Sequence, residues 1–331
     1  KNLNSNLPKI IIIVDKSKKV LGTVTDGDIR RGLINKIDIK NKVIYIMNSK
    51  PKLIRKDKFE IDKLKFKNFD DFPIPVVDKK GKILNLLSGP KSLSSNKSHN
   101  SIILMAGGLG KRLKPLTNKI PKPMIKIGES PILEIIINNF KKFGFSDFLI
   151  SVHYKTEVIK KYFGNGKDLG VSIKYINEKK PLGTIGVLKK IDTRKIKFPL
   201  ILMNSDILTK VDFVSLVNFH KQHNNDLTIC TKQYKLNIPY GIIIEKNKRV
   251  NSFVEKPDYK FDINAGIYVF SKNIFNALGS SSFTDIDIFL KKLIKKNKKI
   301  KSYPLHEYWI DIGRIDDFRK AQIDISSGIF K

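Results

Sequence analysis

The densest cluster of chemically capable residues is Ala106-Gly107-Gly108-Leu109-Gly110-Lys111-Arg112-Leu113, followed by Pro121-Lys122-Pro123. Three glycines in four positions let backbone N–H groups approach phosphate oxygens with no Cβ in the way. Arg112 adds a planar fork that can bind two phosphate oxygens at once. Lys122 stands between two prolines, so the backbone carrying its charge is stiff. The spacing is not that of a dinucleotide fingerprint, and no helix is expected directly after the glycines. Further on, Asn204-Ser205-Asp206 follows the apolar run 198–203. A carboxylate at a strand end suits a hard cation such as Mg²⁺, which takes a few carboxylate oxygens together with phosphates and water. A lone Asp in that place is more often a helix cap, so Asp206 needs a second carboxylate to count as a metal ligand. The five histidines form no cluster, and His153 reads as structural.

These groups need a scaffold, and the pattern after residue 100 supplies one. Strands are expected at 101–106, 147–153, 171–177 and 198–204, and helices at 131–143, 156–163, 182–190 and 212–223. Such β-α alternation predicts an α/β fold with a mainly parallel, Rossmann-like sheet covered on both faces. Ligands in such sheets bind beyond the carboxyl ends of the strands, where the glycine loop and Asp206 both fall. Ser88-Gly89-Pro90 and the polar stretch 92–100 mark a break. The expected organisation is a module over 1–90, a linker over 91–100 and a larger domain over 101–331. The module contains a weak repeat. Residues 10–14 and 20–25 read as strand, turn, strand, with a short helix at 26–34, and 72–77 and 82–87 repeat the strand pair.

Composition narrows the function classes. The chain of 331 residues carries a net charge of +33, which invites a nucleic-acid role. The distribution argues against it. Residues 1–100 hold 23 Lys/Arg against 10 Asp/Glu and the rest 41 against 21, so both parts are basic and neither forms a basic arm. The run 291–301 reads as a solvated helix face. No stretch of about 18 apolar residues is present, so no transmembrane helix is expected. A single cysteine, Cys230, excludes an intrachain disulfide and fits a reducing cytoplasm. No signal peptide is visible, and the chain starts at Lys1 without Met.

The motifs of the second domain closely resemble the signature G-G-x-G-x-R-L-x-P-L-T…P-K-P of the sugar-1-phosphate nucleotidyltransferases, over residues 101–323. The resemblance implies the fold of that nucleotide-diphospho-sugar transferase type and assigns roles. Ala106, Gly107, Gly108, Gly110, Lys111 and Arg112 would bind the nucleotide, Arg112 at the leaving pyrophosphate and Lys122 at the α-phosphate. Lys111 stands where Thr is usual. Asp206 would share Mg²⁺ with Asp311 of Trp309-Ile310-Asp311-Ile312-Gly313, which matches W-x-D-I-G; Ser205 replaces the usual Gly. Glu255-Lys256-Pro257, Asn264-Ala265-Gly266 and Tyr240-Gly241 match sugar-phosphate contacts, so Gly241, Glu255, Lys256 and Asn264 are expected there. The implied reaction is an in-line attack by a sugar-1-phosphate oxygen on the α-phosphorus of an NTP. The nucleophile is already anionic, so alignment and charge stabilisation replace a general base.

The donor base is read from Glu178, five residues before Gly183-Thr184 in a stretch resembling the family's base-reading loop. Pyrimidine-using members carry Gln there. An ionised carboxylate only accepts hydrogen bonds, which suits the adjacent N1–H and N2 donors of guanine. GTP is therefore the expected donor, with mannose-1-phosphate guanylyltransferase-like and CBS-fused glucosamine-1-phosphate guanylyltransferases the most similar branches. A thymidylyl- or uridylyltransferase, or an inactive nucleotide sensor, remains the alternative.

Residues 1–90 resemble a CBS domain pair. Gly22-Thr23-Val24-Thr25-Asp26-Gly27-Asp28 is similar to that family's G-x-x-T-x-x-D, and 43–56 to the start of the second motif. The first motif is without its opening strand and helix and the second without most of its central helix. The resemblance implies a small α+β regulatory module in which Thr25 and Asp28 would hold an adenine nucleotide; a dimerisation module without a ligand is the competing reading. The expected partners are thus GTP, a sugar-1-phosphate, an adenine nucleotide and a second copy in a homo-oligomer, with no nucleic acid and no membrane.

Overall fold

The computed structural model describes residues 10–59, 73–87, 98–279 and 283–330. The chain divides into two units, Lys1–Asn96 and Lys97–Lys331. Most of the expected linker lies outside the described residues, and its last three residues already belong to the first strand of the second unit.

In the first unit, β1 (Ile10–Val14) and β2 (Val20–Thr25) form an antiparallel pair followed by α1 (Asp26–Ile34). A parallel pair of β3 (Ile54–Arg55) with β4 (Ile74–Val77) extends through antiparallel β5 (Ile83–Leu87). The two strand-turn-strand repeats meet at their turns, where Val20 donates to the Gly81 carbonyl and Ile83 to that of Lys18, each at 3.0 Å. The small core is Ile54, Ile74 and Val76, with Phe59 and Leu87 against it. Residues 60–72, where the central helix of the second motif would fall, are outside the described residues.

In the second unit the strands are apolar on both faces, and alternate residues serve different cores. Its sheet contains β6 (Ser98–Met105), then, after the short hairpin β7 (Lys126–Ile127) and β8 (Ser130–Pro131), β9 (Phe145–Val152), β10 (Ser172–Asn177) and β11 (Leu200–Asn204). Beyond β12 (Ile207–Thr209) come β13 (Leu227–Asn237), a hairpin of β14 (Ile242–Lys246) and β15 (Arg249–Val254), β16 (Asp258–Phe270), β17 (Ile300–Leu305) and β18 (Trp309–Asp311). The seven-stranded order is β10-β9-β6-β11-β16-β13-β17. Four of its six pairings are parallel, and β16 runs antiparallel to both neighbours. The expected parallel-dominated α/β sheet is present.

The period-2 alternation of a strand sorts the residues. Ile102, Leu104, Ile201, Met203, Ile267 and Val269 face one core, with α2 (Ile132–Lys142), α3 (Thr156–Phe163) and α5 (Phe213–Gln222) packed on it. Ile103, Leu200, Leu202, Tyr268 and Phe270 face the other, beneath α4 (Gly183–Gly186) and α6 (Ile286–Lys295). Helix α2 buries Ile132, Leu133, Ile136, Ile137 and Phe140, the i, i+1, i+4, i+5, i+8 stripe of an amphipathic helix. The lysine-rich run 291–301 is only partly helical. Helix α6 ends at Lys295, buries Phe289 and Leu293, and hands the run to β17. No helix of the described residues is long and apolar enough to cross a membrane.

Candidate active site

The glycine loop leaves β6 at its carboxyl end. Ala106 is fully buried and donates its N–H to the Ser151 carbonyl at 2.8 Å, which fastens the loop to β9. Two of the three glycines are required by their surroundings. A Cβ on Gly107 would lie 3.3 Å from His153 Cβ and 3.5 Å from Glu178 Oε1, whereas one on Gly108 would meet open space. Gly110 has φ +62°, and its Cβ would fall 2.7 Å from Thr117 Cγ2. Thr117 is buried and its hydroxyl donates to the Gly110 carbonyl at 2.9 Å. The loop is therefore built on Thr117, the closing threonine of the P-L-T stretch, to which the motif assigned no role. Lys111 and Arg112 follow in a short turn, both exposed, above the buried Leu113.

The two aspartates are brought together by a ladder that no local signal announces. β12 and β18 pair antiparallel with Ile207 opposite Asp311, and Ile312 donates to the Asp206 carbonyl at 2.9 Å. Residues 105 apart in sequence thereby become neighbours. Lys122, almost fully buried, places its ammonium on Asp206 Oδ2. On the other side of Asp311 lies Gly313, whose missing Cβ would sit 3.5 Å from Asp311 Oδ1 and 3.7 Å from Arg112 Nη1. Arg112, Lys122, Asp206 and Asp311 thus form one cluster, with Asp317, the capping partner of Arg314 N–H, at its edge. Ser205 does what glycine could not. Its hydroxyl donates to the Met105 carbonyl at 2.6 Å and ties the Asp206 turn to the end of β6.

Burial, and next to it the negative charge of Asp206, push the Asp311 carboxyl up to about 6 against the pull of Lys122 and Arg112. Asp206 Oδ1 and Asp311 Oδ1 are both buried and accept no hydrogen bond from the protein. Acceptors orphaned in this way call for a counter-charge. Two neighbouring carboxylates, each with a buried oxygen that has no protein partner, fit a hard divalent cation.

Glu178 is buried rather than solvent-facing. Its Oε1 accepts from the Ser151 hydroxyl and its Oε2 from the Leu182 N–H at 3.1 Å. His153 is structural as expected in one respect: its Nδ1 lies 2.8 Å from the Glu178 carbonyl, the only role for which is N–H donation. Gly183 and Thr184 open α4 directly after this loop.

The sugar-side residues fall in two groups. Asn264 bonds the Tyr268 hydroxyl at 2.7 Å and accepts the Gly266 N–H at 3.0 Å. Gly266, at φ +69°, approaches the Asn204 side chain, and Trp309 donates to the Ala265 carbonyl at 3.0 Å, so this turn abuts the neighbours of both aspartates. The second group sits around the exposed β14–β15 hairpin. A Cβ on Gly241 would strike Phe253 at 2.4 Å and come within 2.9 Å of Glu255 Oε2, and the Lys256 ammonium is 3.7 Å from Glu255 Oε1. In the first unit, Thr25 and Asp28 are engaged with each other. They form the capping box of α1, with the Thr25 N–H and hydroxyl on Asp28 Oδ2 at 2.8 and 2.7 Å.

A three-layer α/β unit with a glycine loop, a basic pair and facing aspartates at the strand ends defines a class of protein that handles nucleoside phosphates. Residues 101–328 match the family model described as nucleotidyl transferase, and the chain belongs to that family. Among its relatives, the D-glycero-alpha-D-manno-heptose 1-phosphate guanylyltransferase of Aneurinibacillus thermoaerophilus is 37% identical over 225 residues, covering 67% of this chain and 97% of that protein. The mannose-1-phosphate guanyltransferase of Pichia angusta is 33% identical over 228 residues, covering 65% of this chain and 61% of that one, so the chain spans about three fifths of that relative's length. The crystal structure of HddC from Yersinia pseudotuberculosis superposes with a TM-score of 0.55 at 28% identity, covering 68% of this chain and 99% of that chain. The same protein complexed with GMP-PN gives 0.54. Enzymes of this family generally use a divalent metal ion, and the carboxylate pair fits one.

Proposed function

We propose that residues 101–331 transfer a guanylyl group from GTP to a sugar-1-phosphate, releasing pyrophosphate. The observation that carries this reading is the cluster of Lys122, Asp206, Asp311 and Arg112 at the mouth of the glycine loop. In it, backbone N–H groups of Gly107, Gly108 and Gly110 cradle phosphate oxygens. Arg112, exposed beside Asp311, clamps the leaving pyrophosphate. Lys122, buried on its apolar stem, holds its charge at the α-phosphate and at Asp206. Asp206 and Asp311 would hold Mg²⁺, which when bound neutralises charge on the phosphates. Asn264, with Gly241, Glu255 and Lys256, receives the sugar phosphate. No side chain needs to remove a proton, because the attacking phosphate oxygen is already ionised.

Glu178 selects guanine. Each of its oxygens accepts one protein hydrogen bond and keeps a second lone pair, and Oε1 lies at the wall of the glycine loop. Pyrophosphate release with GTP, ATP, UTP and TTP against a panel of sugar-1-phosphates tests the proposal. GTP should be strongly preferred, and Glu178→Gln should erase the preference. Gln can satisfy Leu182 N–H through its oxygen and Ser151 through its amide, so the fold should stand. Equal use of TTP or UTP by the native protein would refute the reading of Glu178 while leaving nucleotidyl transfer intact.

The module over 1–90 completes the proposal as a CBS-type regulatory unit in a cytoplasmic enzyme. The paired strand-turn-strand repeats support it. With Thr25 and Asp28 spent on the α1 cap, an adenine nucleotide would have to share that cap. Calorimetric titration with ATP and AMP, on native protein and Asp28→Ala, tests it; no heat with either nucleotide leaves a module without a ligand.

A further inference from the structure

Asp285 stands immediately before α6, where an aspartate ordinarily accepts an N–H from its own helix. It makes no such bond. Its Oδ1 instead accepts the Thr184 N–H at 3.2 Å, from a segment 101 residues away in sequence. Thr284 adds two backbone bonds to the same segment. Its N–H donates to the Leu182 carbonyl at 2.9 Å, and its carbonyl accepts the Ile185 N–H at 3.0 Å. The approach is close enough to demand glycine. At Gly183, φ is +73°, and a Cβ would lie 2.6 Å from Asp285 Oδ1 and 2.7 Å from the Thr284 carbonyl oxygen. At the other end of the segment, Glu178 Oε2 accepts the Leu182 N–H at 3.1 Å.

We propose that Thr284-Asp285 is the positioning element of the base-reading loop, so that selection of the donor nucleobase is set partly from the start of α6. Leu182-Gly183-Thr184 is strung between two carboxylates. Glu178 orients its first amide and Asp285 its third, and the Thr284 backbone fixes the depth between them. The Leu182 N–H is also one of the two donors that orient the Glu178 carboxylate. Releasing the Asp285 end therefore loosens the residue that meets the base. A carboxylate reading two adjacent donors tolerates little misplacement, so loop slack appears as lost selectivity. Asp285 touches neither base nor phosphate in this scheme; it acts through the loop. The inference rests on the proposal that Glu178 reads guanine.

The test uses the full chain with Asp285→Ser and Asp285→Asn. Serine is a good helix cap but too short to reach Thr184, so α6 keeps its start while the loop is released. Asparagine retains an acceptor oxygen. Binding of GTP, ATP, UTP and TTP is measured by calorimetry without sugar phosphate, and kcat/KM is measured with it. Asp285→Ser should weaken GTP binding and shrink the GTP preference about tenfold, the scale of one lost hydrogen bond to a charged group. Its KM for the sugar-1-phosphate should stay within about twofold, and Asp285→Asn should restore the preference. Gly183→Ala, which pushes the two segments apart, should follow Asp285→Ser. A GTP-selective native protein whose selectivity survives in Asp285→Ser overturns the positioning role alone. A native protein that binds all four nucleotides alike overturns the Glu178 reading and this inference with it.

Discussion

Asp311 is held in the fold at a disadvantage. Its carboxyl is pushed up to about 6 from 3.8, first by burial and then by the charge of Asp206. The folded state therefore binds more protons than the unfolded state between these values, and stability falls as pH rises through that window. Above about pH 6 the deficit is constant. A rise of that size corresponds to about 3 kcal/mol, and solvent screening at this half-buried position reduces that to about 1–2 kcal/mol. Asp311→Asn removes the charge without changing shape. In EDTA at pH 8 the variant should be more stable than the native protein by that amount, about 3–6 °C in Tm for a unit of this size. At pH 4 the gap should close. Mg²⁺ should reverse the order, because a ligand bound only by the folded native protein stabilises it by mass action, and the variant has lost one of two carboxylates. Turnover in Mg²⁺ should fall by about 10²-fold or more. Thermal unfolding with and without EDTA, at both pH values, beside a pyrophosphate-release assay, gives all four quantities. A variant no more stable than the native protein in EDTA at pH 8 would refute the reasoning that the site stores uncompensated negative charge for a cation.

Arg112→Lys should raise the KM for the nucleotide and slow the chemical step while leaving the sugar-1-phosphate KM nearly unchanged, since a point charge cannot reproduce a bidentate fork; a larger effect on the sugar-phosphate KM would place Arg112 on the wrong substrate. Gly110→Ala should destabilise the second unit by about 1–3 kcal/mol in urea unfolding, because it combines a left-handed φ with a 2.7 Å clash against Thr117; an unchanged midpoint would show that the loop relaxes freely. His220, fully buried between the Thr228 and Ser271 hydroxyls, has its pKa lowered by burial to about 4. Its folded value lies below the ordinary 6.5, so the stability it contributes is present above about pH 6.5 and is lost as pH falls towards 4, by up to about 3 kcal/mol. His220→Gln should flatten the stability profile across that window, and an unaltered slope would remove His220 from the account.

Local chemistry was legible in the sequence wherever it is carried by contiguous residues. The glycine loop, Lys122 between its prolines and Asp206 after an apolar strand could be read because glycine freedom, proline stiffness and strand-end placement are properties of a few neighbours. The helices at 132–142 and 156–163 were legible from apolar periodicity. The region 182–190 was less so: it forms one helical turn over Gly183–Gly186 and a tighter turn over Val187–Lys190, where apolar periodicity predicted one helix. Ser205 looked like a departure from a pattern and proved to be a tie between two strand ends. Residue types and spacing alone did not contain the juxtaposition; for the two aspartates only the family resemblance implied it. Asp311 becomes a neighbour of Asp206 only through the β12–β18 ladder, and Asp285 reaches Thr184 only because α6 packs beneath the sheet face that carries α4. Burial of Glu178 among Ser151 and Leu182 is of the same kind. Composition and spacing determined which groups could act on a nucleotide; long-range pairing decided which of them share a charge, a hydrogen bond or a cation, because those energies fall off within a few ångströms and depend on contacts that only the folded chain makes.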